Sequence, residues 1–146
     1  MKLRDATYDD IGWAITQLAD FVADLGYKHS YLFTEDNLRR ILAKMVDSHV
    51  FIVAEVENEL QGMICGEYMH HPYNPSVVML YEHFWWVPEA YRASGVGGQL
   101  LEAFVSTGKE CADTIKVSLE HNSGVPDGYM ERFGLRLAEK TYILEK

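Results

Sequence analysis

The stretch that most constrains the fold is Arg92-Ala93-Ser94-Gly95-Val96-Gly97-Gly98-Gln99, with three glycines in four residues. It stands between two apolar runs of different period. Upstream, Val77 to Val87 is a long run of bulky residues, including Phe84, Trp85 and Trp86, and predicts a strand. Downstream, Leu100, Leu101, Phe104 and Val105 give one buried face to a helix, and Ile115, Val117 and Leu119 alternate within a further strand, Thr114 to Leu119. A strand that returns through a helix to the same sheet makes a crossover, so the strands 77–87 and 114–119 are expected to run parallel.

The rest of the chain supplies the partners for that unit. Lys2 to Ala6 reads as a short strand. Thr7 and Asp10 suit the start of a helix that carries Ile11, Ile15, Leu18, Val22 and Leu25 at helical spacing and stops at Gly26. A second helix begins at Thr34, with Leu38, Ile41, Leu42 and Met45 as its apolar stripe. Val50–Val56 and Leu60–Tyr68, separated by Glu57-Asn58-Glu59, predict an antiparallel hairpin. His70 to Ser76, with Pro72, Asn74 and Pro75, reads as a loop. Pro126 opens a short helix that ends at Phe133-Gly134, and a last strand is expected within Leu135 to Lys146. Hairpins mixed with a crossover define a single α/β domain over residues 1–146 with a mixed sheet.

A net charge of −9 argues against nucleic acid as a partner and favours cationic ones. Cys65 and Cys111 are too few for a disulfide framework and read as buried thiols. With no signal-like segment at Met1–Ala6 and no run of about 20 apolar residues, the expectation is a soluble cytoplasmic protein off the membrane.

At the glycine-rich loop the unpaired N–H groups of a helix start and the positive end of its dipole make an anion site, suited to a pyrophosphate, to which Arg92 adds a charge-assisted contact. The familiar nucleotide motifs fit less well. A P-loop needs Gly-Lys-Ser/Thr where this chain has Gly98-Gln99-Leu100, and Gly95-Val96-Gly97-Gly98 lacks the spacing of a dinucleotide fingerprint.

Arg92 to Gly97 does match every fixed position of R/Q-x-x-G-x-G/A, and Val87-Pro88-Glu89-Ala90-Tyr91 before it is similar to the approach V-x-P-x-x-R. Lys2 to Asp10 resembles an opening strand and first helix, and Asn122 with Tyr129-Met-Glu-Arg-Phe-Gly-Leu135 a later Asn, aromatic helix and Gly-Phe. On these residues the chain resembles the GNAT superfamily of N-acetyltransferases along nearly its whole length. The resemblance implies the GNAT fold, a mixed and mostly antiparallel sheet with a splayed parallel pair. It also implies transfer of the acetyl group of acetyl-CoA to a primary amine.

The pyrophosphate of the coenzyme would then lie on the N–H groups of Gly95, Val96, Gly97, Gly98 and Gln99, with Arg92 helping. Trp86 and Val87 would pair with the pantetheine arm, and Asn122 would contact that arm or cap its own loop. For Trp85 and Trp86, packing in the core or in a dimer is an equally good reading. Glu82 and His83 are the candidates for the base that deprotonates the amine. Strand alternation lets one of them reach the cleft, unless a bulge intervenes. Tyr129 is the candidate acid for the departing thiolate. One extra residue between Asn122 and Gly134 leaves open whether Tyr129 or Met130 takes that place.

The acceptor pocket would draw on Tyr68 to Tyr73 and on Tyr27, Tyr31 and Phe33. His29, His49 and His121 read as loop or strand-end residues, and the adjacent pair His70-His71 is poorly spaced for a metal, so none is expected. Since the family commonly closes with two strands and this chain has room for one, a second subunit is expected to cover the open sheet edge as a homodimer. The other reading the sequence allows is a non-catalytic GNAT-fold module that binds acetyl-CoA or a protein partner.

Overall fold

A computed structural model describes residues 1–25, 33–120 and 122–144. Gly26, Tyr27, His29, Tyr31, His121 and the last two residues lie outside the described residues. The elements run β1 (Lys2–Asp5), a 3-10 turn (Tyr8–Asp10), α1 (Ile11–Leu25), α2 (Glu35–Ser48), β2 (Val50–Val56), β3 (Glu59–His71), β4 (Asn74–Trp86), a second 3-10 turn (Glu89–Tyr91), α3 (Val96–Cys111), β5 (Thr114–Lys116) and α4 (Asp127–Glu131).

The five strands form one sheet in sequence order, antiparallel from β1 to β4 and parallel between β4 and β5. Alternation of side chains splits the core between the two faces. On one face α1 and α2 pack Leu18, Leu42 and Met45 against Val53, Met63, Cys65, Phe84 and Trp86. On the other, α3 packs Leu100, Leu101 and Phe104 against Ile52, Ile64 and Leu80. Fully burying one such side chain contributes roughly 1.5–3 kcal/mol, so these two layers hold the sheet rigid behind the cleft. Cys65 is buried as expected, but Cys111 is exposed at the end of α3, where the apolar stripe has run out.

β2 and β3 meet in a two-residue turn in which Glu57 and Asn58 have φ of 52° and 67°, the twist that lets two strands close tightly. A second tight hairpin replaces the loop expected at 70–76. β3 and β4 pair out to His70 and Val78; a last pair, His71 with Asn74, follows a register shift that leaves Pro75, Ser76 and Val77 without a β3 partner, and Pro72 and Tyr73 turn the chain. The prolines are tolerated because Pro72 lies in the turn and the Pro75 carbonyl still accepts from the His70 Nδ1 at 2.7 Å.

Two further expectations are corrected. β5 stops at Lys116 instead of Leu119. Residues 135–144 contain no strand; Leu137, Tyr142, Ile143 and Leu144 remain exposed there, because three residues of β5 give a last strand little edge to pair with. No helix among the described residues is long and apolar enough to cross a membrane.

Candidate active site

β4 pairs with β5 only from Met79 to Tyr81, opposite Thr114 to Lys116. Past that point the two chains part, and the edge of β4 from Glu82 onward borders a cavity of about 1000 Å³. Its other walls are the glycine-rich loop, the start of α3, residues Ser118 to Glu120 and Asn122 to Pro126, Tyr129 of α4, and Arg132 and Phe133 just after it. The size is at the upper end of small-molecule sites, roughly 300–1,000 Å³.

The loop end of the cavity is built for close approach. Gly95 is the N-cap of α3 with φ of 89°, a conformation that excludes an ordinary side chain even though the space beside it is empty. The Trp85 Nε1–H donates to the Gly97 carbonyl at 3.2 Å and so ties the loop to β4. Of the five expected N–H donors, that of Gln99 already donates to the Gly95 carbonyl at 3.2 Å as the first bond of the helix. The Val96 N–H leans on Ser94 Oγ at 3.4 Å, and the Val96 side chain is buried in the core. Gly97 and Gly98, in the first turn, lie where a helix leaves its N–H groups unpaired. A Cβ on Gly98 would stand 2.5 Å from the Tyr129 hydroxyl, which places that hydroxyl directly over the loop.

Arg92 is held at the mouth. Its Nε donates to the Val87 carbonyl at 3.0 Å, its NH2 group pairs with Asp24 of α1 at 2.9 Å, and its guanidinium lies 4.6 Å from the centre of the Trp86 ring. Trp86 itself is core, edge-on to Phe21 at 5.7 Å, with its Nε1–H on Gln17. Asn122 reaches the Asp24 carbonyl at 3.5 Å, so Asp24 is touched from both lips of the cleft. Sequence reasoning missed Asp24 because a carboxylate near a helix end reads as solvated surface. Arg132, 5.4 Å over the Tyr129 ring and on the cavity wall, was missed in the same way.

Both base candidates border the cavity, where plain alternation would admit one. The reason is a bulge. Cys65 pairs with Phe84 and Gly66 with Glu82, leaving His83 as an extra residue of β4. Glu82 is 6 % exposed, and its Oε2 accepts the backbone N–H of Ser118 at 3.1 Å, across the gap where β4 and β5 separate. Burial pushes its pKa up to about 7, against the Ser118 bond, which lowers it, and with Glu120 adding a smaller upward push. His83 lies on the α1–α2 side, its Nε2 at 3.3 Å from Glu67 Oε2. Tyr129 and Met130 both pack against the α3 core, and of the two it is Tyr129 that lines the cavity. Phe33 packs into the α1–α2 core and does not line the cavity, nor does any residue from Tyr68 to Tyr73.

A mixed sheet whose one parallel pair splays beside a glycine-capped helix start defines a class of α/β fold that comparison with known proteins identifies. The acetyltransferase (GNAT) family model matches residues 13–134, and the chain belongs to that family. No curated protein sequence matches it. Among solved structures it is similar to a "predicted acetyltransferase with acetyl-CoA" from Clostridium acetobutylicum, at a TM-score of 0.79 and 16 % identity over 99 % of this chain and 95 % of that one. It is similar as well to a transcriptional regulator from Bacillus halodurans C-125, at 0.78 and 17 % over 99 % of both chains. An aminoglycoside acetyltransferase from an uncultured soil metagenomic sample matches at 0.66 and 17 %, over 99 % of this chain and 96 % of that one. At these identities the likeness establishes the shared fold.

Proposed function

We propose that this protein is an N-acetyltransferase that moves the acetyl group of acetyl-CoA onto a primary amine, with Glu82 as the base. The observation that carries the reading is the Glu82 carboxyl. It is buried in the splay, titrates near neutrality and shares one cavity with the glycine-capped helix start. A base works best when its pKa lies near the working pH, and Glu82 meets that condition.

The size and lining of the cavity support acetyl-CoA as the co-substrate. The N–H groups of Gly97 and Gly98, and Arg92 once released from Asp24, would hold the pyrophosphate, with Arg132 as a second cation on that wall. The β4 edge at Trp86 and Val87 would meet the pantetheine arm, and Asn122 would lie beside it. The coenzyme supplies an activated thioester. Glu82 takes a proton from the acceptor nitrogen, a backbone N–H of β4 steadies the oxyanion, and the Tyr129 hydroxyl gives a proton to the sulfur. Arg92 and Arg132 are the cations of the lining, beside Asp24 and Glu102, while Glu82 and Glu120 at the splay suit a cationic amine.

The test is titration calorimetry of acetyl-CoA and CoA into wild type and Gly97→Trp, followed by an amine panel. Binding that the bulky residue abolishes, with turnover of at least one amine, is expected. A folded wild type that binds neither ligand refutes the reading, and binding without turnover of any amine leaves a non-catalytic module in its place.

We also infer a homodimer. The tail 135–144 touches β5 through Lys116 and Glu139 at 3.0 Å yet leaves four large apolar side chains exposed beside a three-residue edge strand. A monomer in sedimentation at micromolar concentration refutes this.

A further inference from the structure

Acetylating an ammonium sheds a proton. The nitrogen gives up two, from three N–H bonds to one in the amide, while the departing sulfur gains one, so one proton must reach solvent in every turnover. Glu82 can accept a proton but is nearly sealed from water. Its neighbour His83, the extra residue of the bulge, also borders the cavity and has a side chain 32 % exposed.

That ring is held in one orientation. His83 Nε2 stands 3.3 Å from Glu67 Oε2, and Lys44 of α2 donates to the other oxygen, Oε1. Lys44 holds the Glu67 carboxyl below its ordinary range, followed by the weaker pulls of His83 and His49, against a smaller effect of burial. Glu67 is therefore a carboxylate that can only accept. Its bond to His83 requires hydrogen on Nε2 and leaves the lone pair on Nδ1. His49 stands beside the same carboxylate without bonding to it, its Nε2 3.9 Å away while its Nδ1 accepts the Tyr68 N–H. The Tyr81 ring packs edge-on to His83 at 5.8 Å and limits its rotation. Glu67 of β3 and Tyr81 and Phe84 of β4 thus contact the ring, with Lys44 of α2 and His49 after it standing behind Glu67.

We propose that Glu67, anchored by Lys44, is a positioning residue of the transfer: it fixes His83 with Nε2–H toward itself and Nδ1 as the site that takes the acceptor's surplus proton and passes it to solvent. The inference rests on the amine-acetylation reading above. Atoms balance, since the ammonium gives H⁺ to Nδ1, the ring becomes imidazolium against the Glu67 carboxylate, and water removes the proton before the next cycle. Glu67 was invisible in the sequence, where it is one polar residue in an alternating strand and its partner is set by a bulge.

The experiment compares wild type, Glu67→Gln, His83→Ala and the double variant in steady-state acetylation, with circular dichroism to confirm folding. Each single change is expected to lower kcat roughly tenfold while KM for acetyl-CoA stays within about twofold. The double variant is expected to be no slower than His83→Ala, because Glu67 acts only through the ring. A ring-nitrogen NMR spectrum at mildly alkaline pH should show His83 as the Nε2–H tautomer in wild type and a mixture in Glu67→Gln. Active wild type with unaffected Glu67→Gln, or losses that multiply in the double variant, overturns this proposal alone. An Nδ1–H tautomer in wild type overturns it whatever the activity. Wild type that turns over no amine overturns it together with the reading it rests on.

Discussion

The Glu82 Oε2 accepts the Ser118 backbone N–H at 3.1 Å, one residue past the last paired position of β4. The bond bridges the gap that strand pairing leaves open, so a single titratable side chain both joins the two walls and faces the cavity. Glu82→Gln keeps an acceptor for Ser118 but cannot take a proton. Its kcat is expected to fall by about 10²–10⁴, the usual worth of a general base, with little change in KM for acetyl-CoA.

The same change affects stability with a definite sign. The folded pKa of Glu82, about 7, lies above its ordinary value of 4.5, so the folded state binds the extra proton between those values and loses stability as pH rises through them. Ionised Glu82 costs on the order of 3 kcal/mol well above pH 7 by this linkage. Glu82→Gln should therefore be more stable than wild type in urea denaturation at pH above 7, and nearly equal to it below pH 4.5.

Gly66 makes the bulge possible. A Cβ there would meet the Tyr81 carbonyl at 2.5 Å and Phe104 at 2.7 Å, and neither a strand backbone nor a fully buried ring can step aside cheaply. Gly66→Ala should cost about 2–3 kcal/mol and lower Tm by several degrees. At Gly97 the nearest atom to a new Cβ is 3.5 Å away, so Gly97→Ala should leave Tm unchanged or raised. Thermal unfolding of both variants checks the contrast.

Arg4 grips Asp10 with two bonds, of 2.7 Å and 2.9 Å, and Thr7 donates to the same carboxylate from its backbone at 2.7 Å. The Arg4 hydrogen bonds, ahead of every other influence, hold the Asp10 carboxyl below its ordinary range. A depressed folded pKa contributes stability that is present above the unfolded value and lost as pH falls through the folded one. Arg4→Met leaves a buried carboxylate without its partner. It should cost about 2 kcal/mol at neutral pH, less than a fully sealed pair because Arg4 is partly exposed. Denaturant titrations should show the difference shrinking in acid.

Asp24 competes for Arg92 with any phosphate that enters the mouth. Both side chains are about half exposed, so the pair is worth at most about 1 kcal/mol. Asp24→Asn should tighten CoA binding by up to about fivefold. Calorimetry in low and high salt checks it, with the gain fading as salt rises.

Much of the frame was legible because period and chemistry agree. Val50–Val56, the turn at Glu57-Asn58, the stripe Leu100 to Val105 and the glycines before it each point to one structure, and the chain adopts it. Failures came where local signals conflict with long-range pairing. Pro72, Asn74 and Pro75 signal a loop, yet His71 and Asn74 still pair at the tip, and the loop signals show only as the unpaired stretch Pro75 to Val77. Leu135, Leu137 and Ile143 alternate like a strand, yet β5 offers no length for it to join. The candidate site was legible where it is backbone and glycine. It was illegible where it depends on which side chains a bulge brings together, as with Glu67 and His83, or on a backbone donor such as Ser118.

The extra residue at position 83 also separates β4 into two stretches with independent parity. From Phe84 onward, face is set by the α1–α2 core and Trp85's hold on the glycine loop; before Glu82, it is set by Leu80 against α3. The outer hairpin can therefore lengthen or shorten by residue pairs at Pro72-Tyr73 without rotating a single cleft side chain. One half of the strand is free to drift in sequence while the other stays in register with the chemistry.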